Sequence, residues 1–197
     1  MMGQNASEYY KNYTDTLNKR IPNELVPVIL KTLEHYPELD TIPIDFVIDD
    51  GIHNSFMQAK PRPLSLLKKR NKRTYQVQLM SSLMIGDSVI PTHLLPEDAL
   101  MGWFGHEIGH LVDYESMDNI EIMILGIRYI FSKNYVIRTE KRVDLIAIGH
   151  GLGKENIAWK EFVLNQPLLP KAYLDKIRQI YMPPSEVDEI LKGRDKN

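Results

Sequence analysis

His106, Glu107 and His110 stand in the segment His106-Glu107-Ile108-Gly109-His110, a His-Glu-x-x-His pattern. On an α-helix, residues four apart share a face, so both imidazoles can reach one Zn2+ ion while the glutamate stands beside it. A carboxylate in that place can take a proton from water polarised by the metal, making the hydroxide that attacks a carbonyl. A catalytic zinc needs a further protein ligand and one open position. The third histidine that some zinc helices supply further along is absent, because Ser116 stands at its place. The chain has no cysteine, so the missing donor must be a histidine or a carboxylate.

The segment Thr139-Glu140-Lys141-Arg142-Val143-Asp144 offers two acids. Residues 136–148 read as a helix that is apolar on most sides, through Val136, Ile137, Val143, Leu145, Ile146 and Ile148, with Glu140 and Asp144 on one face. Like charges at that spacing repel, and buried carboxylates need partners. A metal for Glu140 and an imidazole N–H for Asp144 would satisfy both. Surface pairing with Arg138, Lys141 and Arg142 would satisfy them as well.

A His106-Glu107-x-x-His110 helix followed by a helix bearing Glu140-x-x-x-Asp144 resembles the gluzincin clan of zinc peptidases. The likeness is to its compact branch, the minigluzincins and the catalytic cores of HtpX-like and CAAX-prenyl-protease-like enzymes, and it covers residues 74–148. It implies that His106, His110 and Glu140 are zinc ligands, that Glu107 is the general base and acid, and that Asp144 is the partner of a ligand histidine. In that branch a strand ahead of the active-site helix binds an extended substrate along its edge, and residues 74–80 are the matching candidate. The implied activity is that of a zinc-dependent endopeptidase on a peptide or protein substrate. The alternative is a catalytically inactive metal-binding regulatory or peptide-binding protein on the same scaffold. The group that stabilises the oxyanion is open: His150, between Gly149 and Gly151, is one candidate, with Tyr135, Tyr173 and Tyr181. The membrane spans of the integral-membrane relatives are missing, which implies a soluble protein.

These residues must be positioned by a surrounding fold. Pro22 opens a helical pattern over residues 23–36. Strand patterns follow at 42–48, at 55–60 and at 74–80, where apolar and polar residues alternate. Pro96-Glu97-Asp98 starts a helix that runs through the motif to about Glu115. Gly102, Gly105 and Gly109 are each unfavourable inside a helix by about 1 kcal/mol. They call for the close approach of another backbone, a substrate or a neighbouring helix. Further helices are expected over 119–132, 136–148, 155–164, 170–181 and 185–192. The predicted fold is one α+β domain over residues 1–197, with an N-terminal helix, a small, mainly antiparallel sheet of three to four strands, the motif helix and a helical C-terminal half. Residues 1–20 read as loose or as a short helix, and 166–197 as packing or as a segment over the cleft.

At 43% hydrophobic and 25% charged residues the composition is globular rather than disordered. A net charge of −2 gives no basic excess for a nucleic-acid partner. The run Lys68-Lys69-Arg70 with Lys72-Arg73 reads as a solvated loop. The N-terminus has no apolar leader and no stretch is long enough to span a bilayer, so a cytoplasmic protein is expected. Oligomeric state is not encoded in these patterns.

Overall fold

In the computed structural model, which describes residues 6–53 and 55–194, two sheets precede an all-helical half. The strands β1 (Tyr13–Thr16), β2 (Lys19–Pro22), β3 (Ile44–Ile48), β4 (Met57–Pro61) and β5 (Tyr75–Leu79) form one five-stranded sheet in the order β1-β2-β3-β5-β4. Two further strands, β6 (Ser82–Ile85) and β7 (Ser88–Pro91), make a separate hairpin. The α+β class is as expected, but the sheet is mixed. The pairs β2–β3 and β3–β5 are parallel, and β1–β2 and β4–β5 are antiparallel. Parallel neighbours need a crossover, and helix α1 (Val26–Leu33) supplies the one between β2 and β3.

The N-terminal stretch is not loose where it is described. Its β1–β2 hairpin turns through Leu17 and Asn18, both at positive φ (46° and 60°). A two-residue turn of this kind usually carries glycine, so its composition hid it. Lys19 then anchors the hairpin, because its buried ammonium donates to the carbonyls of Leu17, Leu39, Asp40 and Ile42. Residues 1–5 of that stretch, and 195–197 of the C-terminal one, lie outside the described residues.

The helices are α2 (Glu97–Glu115), α3 (Asn119–Phe131), α4 (Lys133–Gly149), α5 (Gly153–Leu164), α6 (Lys171–Ile180) and α7 (Pro184–Arg194). Helix α2 runs through the centre, and every side from Ala99 to Leu111 is buried. Its rings meet the sheet and its neighbour, with Phe104 edge-on to Phe46 and Trp103 against Phe56 and Trp159. The α2 glycines are there for helix contact. A Cβ on Gly102 would stand 1.9 Å from the Glu155 carbonyl oxygen, and one on Gly105 2.6 Å from Leu152. At Gly109 the neighbour is Val143, at 3.1 Å. These approaches draw α5 and α4 onto the motif helix, which brings their polar residues to the site. Of the basic run, Arg73 is buried and closes the end of α2, donating to the carbonyls of Tyr114 and Met117 and to Asn119. The other four basic residues are exposed. Among the described residues no helix is long and apolar enough to cross a membrane.

Candidate metal centre

Four elements meet at the motif. Helix α2 presents His106, Glu107 and His110, α4 presents Glu140 and Asp144, α5 adds Asn156 and Lys160, and β4 adds the Ala59 amide. His106, Glu107, His110, Glu140, Asp144, Asn156 and Lys160 are all buried. Glu140 Oε2 lies 2.9 Å from His106 Nε2, and its Oε1 lies 3.6 Å from His110 Nε2. One donor atom from each of the three residues lies within 4.8 Å of the others, so they form a buried His-His-Glu group that could hold a metal ion.

Asp144 organises the next layer. Its Oδ1 accepts from His106 Nδ1 and Asn156 Nδ2, each at 3.0 Å, and its Oδ2 accepts from Lys160 Nζ at 2.8 Å and the Met182 amide at 2.9 Å. Four donors fill both oxygens, which requires the ionised carboxylate. Burial opposes that form, but His106, Lys160 and Asn156 outweigh it and bring the Asp144 pKa to about 2. A neutral His106 therefore carries its proton on Nδ1 and turns the lone pair of Nε2 toward Glu140. A lone pair 2.9 Å from a carboxylate oxygen is repulsive unless a positive centre shares the space. Burial lowers the pKa of His106, yet Asp144 and Glu140 prevail and raise it, so the two acids draw positive charge to that point. Burial also opposes ionisation of Glu140, and the two histidines hold its pKa well below the usual value.

Charge balance agrees. Glu140 and Asp144, both held ionised, are buried beside the Lys160 ammonium, so the positive charge that they draw to His106 is one a bound cation could supply in its place. The donor set fits such an ion. Surface pairing of the two acids does not occur, since Arg142 binds Asp113 and Lys141 binds Glu186.

Glu107 is oriented from the sheet. Its Oε2 accepts from the Ala59 amide at 2.7 Å, and burial raises its pKa against the pull of His110 and His106. The strand beside the site is thus β4, at the edge of the sheet. The expected strand, residues 74–80, became β5 and lies inside the sheet between β3 and β4. Pro61 was the available signal, because proline is confined to edge strands and strand ends.

A cleft of about 520 Å³ opens over Glu107, His110 and Glu140, with β4 on one side and Ile122, Met123 and Tyr129 of α3 on the other. Tyr129 donates from its hydroxyl to Glu140 Oε1 at 2.6 Å. Tyr181 lines the same cleft with its ring 5.2 Å from that of His106, and Lys176 lines it too. The C-terminal segment therefore borders the cleft. Of the other tyrosines weighed, Tyr173 lines a neighbouring apolar cavity, and Tyr135 lies under the Arg128 guanidinium. His150 is not at the site. It caps the end of α4, stacks on Tyr36 and pairs with Glu38 at 2.7 Å, because the chain turns away at Gly151 (φ 85°).

Tyr129, Asn156 and Lys160 were not anticipated. Tyr129 is hidden in an apolar run, whereas Asn156 and Lys160 are two polar residues four apart on a helix face shared with Trp159 and Val163, a detectable signal. Comparison with protein-family models, with curated proteins and with solved structures returns no match, so the chemistry of this chain rests on its own geometry.

Proposed function

We propose that the protein is a zinc-dependent endopeptidase with Glu107 as general base. The observation that carries the reading is one buried cluster that joins a His106-His110-Glu140 donor set to the Glu107 carboxylate on the floor of a cleft walled by an edge strand. Two imidazoles and a carboxylate with room for another ligand suit catalytic zinc. Bound there, zinc supplies Lewis acidity, polarising water and a substrate carbonyl. Glu107 stands between the two histidines in the chain and faces the cleft. From there it can take a proton from water and return it to the leaving amine. The β4 edge can pair with an extended peptide through main-chain hydrogen bonds. A peptide that engages Ala59 takes over the amide that Glu107 now accepts and releases the carboxylate for proton transfer. Tyr181 is the oxyanion candidate that borders the cleft.

A binding scaffold without turnover is the second reading. It is favoured by the engagement of both reactive carboxylates, Glu107 by the Ala59 amide and Glu140 by the Tyr129 hydroxyl. Protein loaded with Zn2+ and desalted is expected to retain a stoichiometric amount and to cleave a fluorogenic peptide library. Glu107→Gln should keep the zinc and lose cleavage by about 10²-fold or more. Zinc without turnover in the unaltered protein points to the scaffold. Failure to retain zinc ends both readings, and cleavage that survives Glu107→Gln removes Glu107 as the base.

A further inference from the structure

Helix α3 is apolar on two faces. Its inner face buries Ile122 and Leu125 and turns Tyr129 to the cleft. Its outer face carries Ile120, Met123, Ile124, Ile127, Ile130 and Phe131, which recur at helical spacing as one stripe. That stripe is open, with Ile130 77% and Phe131 82% exposed. A helix apolar all round is normally enclosed, and a contiguous exposed apolar surface marks a docking site.

The surface beside the stripe shows what fits it. The short helical turn Pro63–Leu67 borders the same cleft through Pro63 and Leu66 and exposes Leu64 and Leu67, at 77% and 83%. Asn119, the first residue of α3, ties the two elements together by donating to the carbonyls of Leu66 and Lys68. Lys68, Lys69, Arg70 and Lys72 follow directly, all exposed, and among the described residues none of the four makes an ion pair. Arg128 and Lys133 continue the positive charge at the other end of α3. The acids of this face, Asp118 and Glu121, are taken up in the capping box of α3. The chain as a whole is slightly acidic, so this positive charge is local.

We propose that the outer stripe of α3, Leu64, Leu67 and the basic residues of 68–72 form a docking surface for an anionic lipid bilayer. Apolar side chains that enter the acyl boundary beside lysines and arginines at headgroup level are the requirements of an interfacial site. A second copy of the chain fits less well. Two-fold pairing would set the basic run against a face whose acids are already engaged. Docking sets the cleft, which Pro63, Leu66 and Met123 of these two elements border, beside the membrane surface. The proposal stands apart from the peptidase reading, since neither surface contributes a candidate metal ligand or Glu107.

Flotation with vesicles of phosphatidylcholine, with and without phosphatidylserine, tests it on the full chain. The protein is expected to float with the phosphatidylserine vesicles and to be released by high salt. Each basic residue near an anionic surface is worth about fivefold in binding. Replacing all four (Lys68→Ser, Lys69→Ser, Arg70→Ser, Lys72→Ser) should therefore weaken binding by about 10²-fold or more. Ile127→Ser with Ile130→Ser should also weaken it by about tenfold or more while moving the melting temperature by no more than a few degrees. Lack of flotation with either vesicle overturns the proposal, and so does flotation that survives both sets of substitutions. Light scattering that shows a dimer dissolved by Ile127→Ser with Ile130→Ser, without vesicle binding, assigns the stripe to a second copy and overturns it too.

Discussion

Helices α3 and α4 follow one another with only Ser132 between them, and they divide burial against hydropathy. The sequence of α3 is mostly apolar, yet seven of its large hydrophobic residues are exposed. The more charged α4 buries Glu140 and Asp144 to 1% and 0% exposure. The difference lies in partners. Asp144 receives four hydrogen-bond donors from three other stretches of chain, and Glu140 receives two imidazoles and a phenol. The outer face of α3 has no protein against it. A buried charge tolerates its position when its complement is built around it, and an apolar face stays open until a partner arrives.

The contrast can be broken at three points, in descending order of effect. Asp144→Ala leaves the Lys160 ammonium buried without its counter-ion, and a loss of about 3–5 kcal/mol is expected in urea unfolding. His106 loses the acceptor that orients it, so zinc affinity should fall by about 10–100-fold. A loss under about 1 kcal/mol would show that the buried carboxylate is replaceable packing. Next, Gly102→Ala drives a methyl into the Glu155 carbonyl, so α5 must move away from α2. Overpacking of this kind costs about 1–3 kcal/mol, against a helix-propensity gain of about 1 kcal/mol. The net should appear as a melting temperature lowered by a few degrees, together with weaker zinc retention as Lys160 and Asn156 shift. A stabilised protein would mean that α5 does not hold the site. The smallest effect belongs to α3: Ile127→Ser with Ile130→Ser should change stability by no more than about 0.5 kcal/mol per site. A larger loss, measured the same way, would mean that the stripe is covered in the folded chain.

The spacing of the site residues was legible because local patterns encode it. The spacing of His106, Glu107 and His110 on one helix, and of Glu140 and Asp144 on another, is a property of the α-helix itself. The three glycines of α2 announced a close neighbour without naming it, and the structure names Glu155, Leu152 and Val143. The edge strand was misread for a physical reason. Residues 74–80 alternate like a half-buried strand, but Gln78 is buried and bonded to Gln58 and Asp49, so its polarity is satisfied inside. His150 looked reactive between two glycines, and it turned out to be a helix cap held by Glu38 and Tyr36.

The sequence by itself determined the α+β class, each of the long helices to within a few residues, and the residue types that meet at the site. These follow from periodicity and spacing, which act over one or two helical turns. Only the tertiary structure decided that the sheet is mixed, that β4 is the edge beside Glu107, and that Tyr129, Asn156, Lys160 and the Met182 amide complete the shells around His106 and Glu140. Those contacts join residues far apart in the chain, and no local pattern records which distant groups close packing will bring together.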